Sequence, residues 1–268
     1  MSHQYITGSS RQVVRRTPGL SKPQAAPFSG DMYNWLITQI ASSLHTLTPN
    51  SPRHSVAITS ALENFPSSWC LTDMRGSLSF IVVSRRRIFI AHLGATPDSA
   101  PPNHFTKEAQ GVMNNLYTFT HAGGDFENTP ANNLRACILA PLRPRPETEF
   151  LLPQQPATEY VNPTRIHGLQ DALASVIHTD ITTLGFTPLE YRDPNLASPK
   201  GKVVVQYDPA EQWIDDAKGH KVQCAGVEIW LEDDAHCRYR DVWVVAGGGP
   251  QELSEEPQED LFGTLPPL

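Results

Sequence analysis

Residues 78–93 read LSFIVVSRRRIFIAHL: two six-residue apolar runs with Ser84, Arg85, Arg86 and Arg87 between them. β-Branched and aromatic side chains dominate both runs, which favours strands. Four polar residues can join only neighbouring antiparallel strands, because a parallel crossover needs a dozen residues or more. Both runs are apolar at odd and even positions alike. A strand with one wet face alternates, so this hairpin is expected inside a sheet covered on both sides. That requirement demands further layers and rules out a simple helical bundle.

The rest of the chain can supply those layers. Leu36, Ile40, Leu44 and Leu47 repeat at helical spacing over 32–47, with Asp31 placed to cap the start and Pro49 beyond the end. Ala109, Val112, Met113, Leu116 and Phe119 do the same over 105–119, as do Ile166, Leu169, Leu173, Val176 and Ile177 over 166–178. Strands are expected at 134–140, 186–191, 202–208, 225–232 and 238–245. Six of the 24 prolines fall within 141–163, which predicts an extended loop. Helices and strands do not alternate as a βαβ series, so the fold class is α+β with a mixed, mostly antiparallel sheet. At 268 residues, 18% of them charged, the chain can bury one sizeable core.

Charge divides the chain in three. Residues 1–30 carry Arg11, Arg15, Arg16 and Lys22 and no acid; residues 250–268 carry Glu252, Glu255, Glu256, Glu259 and Asp260 and no base. Taking +4 and −5 from the net −7 leaves −6 for 31–249. The expected organisation is a disordered basic arm over 1–30, one domain over 31–249 and a disordered acidic tail over 250–268. A mildly acidic body argues against binding a phosphate backbone, so nucleic acid is an unfavoured partner. No apolar run approaches the roughly 18 residues of a membrane helix. Residues 1–30 lack a secretory apolar stretch, and Pro18, Pro23 and Pro27 interrupt the amphipathic helix of a transit peptide. Cys70, Cys137, Cys224 and Cys237 follow no pattern, so reduced thiols in the cytoplasm are expected, with nucleus and mitochondrion left open.

Chemistry concentrates at the hairpin. Gly76-Ser77 lies at its entry and His92 near its exit. With the turn centred between Ser84 and Arg86, paired residue numbers sum to about 169–171, which sets Ser77 opposite positions 92–94. Opposed side chains in such a pair have Cβ atoms about 4.5–5.5 Å apart, so a hydroxyl and an imidazole can meet there. Gly76 leaves room for a substrate beside the backbone. Ordinary sheets also contain strand-end serines and hydrogen-bonded core histidines, so a purely structural role is the open alternative.

Gly-Ser, an apolar strand, a short turn and Ala-His, with Ser77 and His92 fifteen positions apart, resemble the core motif of the glutamine deamidase superfamily. That superfamily includes the catalytic domain of cytotoxic necrotizing factor and the bacterial chemoreceptor deamidase. The resemblance implies a sandwich of mixed sheets with flanking helices, and a nucleophile–histidine pair acting on carboxamides without a cofactor. The chain is also similar to filamentous-fungal proteins of this pattern, through Val205-Gln206-Tyr207-Asp208-Pro209 and Ile229-Trp230. The likeness is strongest over 76–94 and looser over 201–245.

The sequence departs from the family at the nucleophile, where Ser77 stands in place of cysteine, and Leu93-Gly94 replaces an aromatic-acidic pair. A thiol with a pKa near about 8.5 ionises readily beside an imidazole. A serine hydroxyl needs a well-oriented base and an oxyanion hole for the same work. The expected function is therefore amide hydrolysis of the deamidase type by Ser77 and His92 beside Gly76. Its alternative is an inactive, deamidase-like scaffold that binds a protein or a small carboxamide.

Cys70 reads as a buried inert thiol rather than a displaced nucleophile. His220, Cys224, His236 and Cys237 would have to converge to hold zinc, and adjacent His236 and Cys237 point to opposite faces of a strand. His121 before Gly123-Gly124-Asp125 reads as a plain turn. Residues 141–146, PLRPRP, have the composition of a ligand for an aromatic-grooved partner domain, or of a surface loop.

Overall fold

The hairpin forms β4 (Ser79–Val83) and β5 (Arg87–His92) in the computed structural model, which describes residues 20–25, 27–43, 45–48, 55–94, 104–143, 159–189, 198–215, 221–246 and 249–250. Before it come α1 (Met32–Ser42), β1 (His45–Leu47), β2 (Val56–Ala61) and β3 (Ser67–Leu71). After it come α2 (His104–Tyr117), β6 (Arg135–Pro141), α3 (Pro163–Ile177) and β7 (Ile181–Phe186). The chain continues through β8 (Val203–Asp215), β9 (Lys221–Leu231), β10 (Tyr239–Ala246) and β11 (Gly249–Pro250). One sheet has the order β1-β3-β8-β9-β10-β11 and the other β2-β5-β4-β6-β7. The β1–β3 and β6–β7 pairs are parallel and the rest antiparallel, so the α+β class with mixed, mostly antiparallel sheets holds.

The uninterrupted apolar runs of the hairpin are explained by where their two faces go. Ile81, Val83, Ile88 and Ile90 face across the sandwich to Val203, Val205, Ile229 and Trp243. Phe80, Val82, Phe89 and Ala91 turn the other way, under Val112 and Leu116 of α2 and Leu169 and Leu173 of α3. On the outside of the second sheet, Cys70, Val204 and Trp230 are covered by Met32, Trp35 and Leu36 of α1. The result is four layers, helix–sheet–sheet–helix. At the turn of the hairpin Arg85 bridges the sheets, its Nε lying 3.0 Å from Asp241 Oδ2 and its guanidinium 5.7 Å from the centre of the Trp243 ring. Among the described residues no helix is long and apolar enough to cross a membrane.

Several boundaries differ from the sequence expectation. The helix expected over 32–47 ends at Ser42. Ser43 is extended and its hydroxyl donates to Ser68 O at 2.9 Å, so that His45–Leu47 can pair with Trp69–Leu71 as a parallel strand. Strand pairing there outweighs helical spacing. The strand expected at 186–191 is instead Ile181–Phe186, because His178 takes a left-handed conformation that ends α3 sharply without a glycine. Strands β2 and β3 were not expected: β2 has no buried residue, and only the last three residues of β3 are buried. Of residues 1–30, the described part packs onto the domain. Ser21 O accepts from Trp35 Nε1 at 2.8 Å, and Lys22 Nζ lies 2.8 Å from Glu228 and 3.0 Å from Glu211. Residues 1–19 and 251–268 lie outside the described residues, as does most of the proline-rich loop, 144–158.

Candidate functional site

The inner face of β4 and β5 is apolar from Val83 and Ile88 through Ile81 and Ile90, then turns polar at one end. Register decides which groups meet there. Paired numbers sum to 171, at the top of the expected range, so the residue opposite His92 is Ser79. Ser79 Oγ lies 2.9 Å from His92 Nδ1. Ser77 precedes the ladder by two residues. Leu78 packs in the helix-side core with Phe80, so alternation turns Ser77 toward the same inner face as Ser79 and His92. Ser77 is 7% exposed, Ser79 0% and His92 1%. Among the described residues neither the Ser77 hydroxyl nor His92 Nε2 has a hydrogen-bond partner.

Gly76 sets the approach to Ser77. Its φ of +127° is a conformation that other residues rarely adopt, and among the described residues a Cβ built there meets nothing within 4 Å. The segment 72–78, which crosses from one sheet to the other, is held by its backbone: Met74 N donates to Gly201 O and Leu189 N donates to Met74 O. Gly201 has φ +63° and packs so tightly on Met74 that a Cβ would lie 2.5 Å from Met74 O.

Electrostatics make His92 a neutral imidazole. Burial pushes its pKa from 6.5 down to about 4. The nearby carboxylate of Glu108, on α2, is engaged on the helix side of the sheet: Ser55 Oγ donates to Glu108 Oε2 at 2.6 Å and accepts from Gly94 N at 3.0 Å. This chain of bonds fixes the exit of β5 and leaves Ser79, a hydroxyl, as the group that orients the imidazole. Sequence reasoning placed Ser77 near His92 and passed over Ser79. The signal was in the arithmetic, since a sum of 171 selects 79 as the partner of 92.

The chain connections gather at this end. Thr48 and Thr72 hydroxyls lie 2.9 Å apart, Arg143 N donates to Glu159 O, and Lys202 Nζ donates to Ser198 O. Glu232, with φ +57°, closes the rim by accepting from Thr187 N at 2.7 Å and Gly201 N at 3.0 Å; burial raises its pKa.

Other residues singled out by sequence lie elsewhere. Cys70 points under α1, away from His92, and burial pushes its thiol up to about 11, as an inert thiol requires. His121 belongs to a turn at the opposite end, where Gly124 N donates to His121 O and Asp125 pairs with Arg87 at 2.6 Å. Cys224 is buried in β9, whereas His236 is exposed in the turn before β10, and His220 lies outside the described residues.

No family model matches the chain, and no curated protein matches it. Among solved structures it is similar to the C-terminal domain of CNFy from Yersinia pseudotuberculosis, with 12% identity and a TM-score of 0.32. The match covers 75% of this chain and 61% of that one, so the chain spans about three-fifths of the solved domain. A likeness at that score lends nothing to the assignment of chemistry.

Proposed function

We propose that this chain is a deamidase-like scaffold that binds carboxamide-bearing ligands at the polar end of its sandwich without turning them over. The observation that carries this reading is the state of His92. It is 1% exposed, bonded through Nδ1 to a hydroxyl rather than a carboxylate, and shifted by burial to a pKa of about 4. A general base works best with a pKa near the operating pH. An imidazole this weak can accept a hydrogen bond but is a poor base for a serine hydroxyl, which, unlike a thiol, must be deprotonated as it attacks. The Ser77 hydroxyl and His92 Nε2 remain as one flexible donor–acceptor and one fixed polar atom, a set suited to the C=O and NH2 of a carboxamide. The Gly-Ser and Ala-His resemblance supports the same ligand class.

A second reading, a slow serine amidase, is favoured by the absence of competing partners on Ser77 Oγ and His92 Nε2 among the described residues. With Nδ1–H donated to Ser79, Nε2 would take the Ser77 proton as Oγ bonds to the amide carbon. The proton would then pass to the nitrogen as the C–N bond breaks, releasing ammonia, and water would hydrolyse the resulting ester.

Ammonia release from glutamine and glutamine peptides, measured beside ligand-observed NMR binding, separates the two. Binding by the parent that Ser77→Ala weakens, with no ammonia above background from either, is the expected outcome. Sustained release by the parent that Ser77→Ala abolishes establishes the amidase and overturns the binding reading. Neither binding nor release removes both.

A further inference from the structure

A second polar feature lies at the other end of β4 from Ser79. A cavity of about 20 Å3 opens there between the two sheets, with apolar walls from Val83, Cys137, Leu184 and Ile229. Two arginines reach it, Arg135 and Arg238. Leu134 and Ala136 pack in the helix-side core and Cys137 in the core between the sheets, so alternation along β6 turns Arg135 inward. Arg238 N donates to Ile229 O at 2.8 Å, which holds Arg238 beside the same space just before β10 begins. Its side chain is 35% exposed, so the cavity meets solvent there.

The charges around this space do not balance. Among the described residues Arg135 has no ion-pair partner. Arg238 pairs with Asp234 through a terminal nitrogen, while its Nε is buried without an acceptor. Tyr239 also lines the cavity, and burial raises its pKa, so its phenol stays uncharged and supplies no counter-charge. Two guanidiniums thus face one carboxylate among the described residues. A buried donor left unpaired is costly, which favours any acceptor that fits. A water needs about 10–15 Å3 of such space, so the cavity admits one or two oxygen-sized atoms and not the four oxygens of a phosphate. A planar guanidinium holds a carboxylate through two parallel bonds, and apolar walls strengthen the attraction. We propose that Arg135 and Arg238 bind the carboxylate of a small organic acid in this cavity, a site apart from the one at Ser77 and His92.

Acetate is the probe, titrated into the full chain at constant ionic strength while the Nε–H signal of Arg238 is followed in proton–nitrogen correlation spectra. A saturable shift is expected, and chloride and phosphate at matched ionic strength are expected to give none. Arg135→Gln and Arg238→Lys, read through the line width of the acetate methyl signal, should each weaken binding on the order of tenfold, since each removes a charge-assisted bond. Unchanged amide shifts in β1 and β3 mark both variants as folded. No saturable shift with acetate overturns the proposal. An equal shift with phosphate overturns a cavity of carboxylate size and leaves a general attraction for anions. Saturation by chloride alone assigns a halide site and overturns the organic acid as its ligand. Acetate binding that either variant retains in full overturns the two-arginine site.

Discussion

At the scale of single residues, the polar end of the sandwich rests on one bond, Ser79 Oγ to His92 Nδ1. Replacing Ser79 by alanine leaves a fully buried ring nitrogen unpaired, which costs about 1–3 kcal/mol. Ser77→Ala removes a hydroxyl without a partner among the described residues and should change stability by less than about 0.5 kcal/mol. Urea unfolding of the two variants checks the difference, and equal losses would contradict the assigned register. The imidazole also predicts a pH dependence. Its folded pKa of about 4 lies below the ordinary 6.5, so between those values the unfolded chain binds a proton that the folded chain excludes. Stability is therefore full above about pH 6.5 and declines as pH falls toward 4, by an amount on the order of 3 kcal/mol. Parent and His92→Gln compared at pH 7 and pH 4.5 should diverge; parallel losses would show that some other group carries the acid sensitivity. Sequence alone brought Ser77 and His92 into the same neighbourhood because strand pairing is arithmetic. It chose the wrong serine for direct contact because a four-residue connection admits more than one register.

At the scale of elements, what can be read depends on how local the cause is. The hairpin was legible because two dense apolar runs and a short polar turn are adjacent in sequence. β1 and β3 were not, because His45–Leu47 becomes a strand only when Trp69–Leu71 lies beside it, 24 residues away. The same holds for the clamp between sheets. Arg85 read as a polar turn residue, yet its side chain is 9% exposed and pairs with Asp241, 3% exposed, on β10. Asp241→Asn leaves a buried guanidinium without its counter-charge and should cost about 3–5 kcal/mol. The double variant Arg85→Met with Asp241→Leu should recover much of that loss in the same denaturation experiment. If the single variant is neutral, the bridge is not what holds the hairpin turn to β10. Gly201→Ala tests the crossing segment, since a left-handed backbone and the Met74 carbonyl both resist a Cβ there. A loss above about 1 kcal/mol is expected in thermal melts.

At the scale of the whole molecule, the four layers follow from a hairpin apolar on both faces, and that much was available from the sequence. The packing of Ser21 and Lys22 was not. Residues 1–30 have the arginines, the prolines and the lack of acids of a solvated arm, and within their described part these two residues engage Trp35, Gln39, Glu211 and Glu228. Deleting residues 1–25 should leave Trp35 Nε1 without its acceptor and open its ring to water. The expected result is a red shift in tryptophan emission and a loss of about 1–3 kcal/mol. An unchanged spectrum would mean that α1 alone shields the ring. One consequence of the architecture concerns what keeps the two polar side chains together. The Ser79–His92 pair sits inside its sheet, with Val56 of β2 opposite His92 on one flank and Leu139 of β6 opposite Ser79 on the other. To part the hydroxyl from the ring, two ladders would have to slip at once, so the contact is as durable as the sheet that carries it.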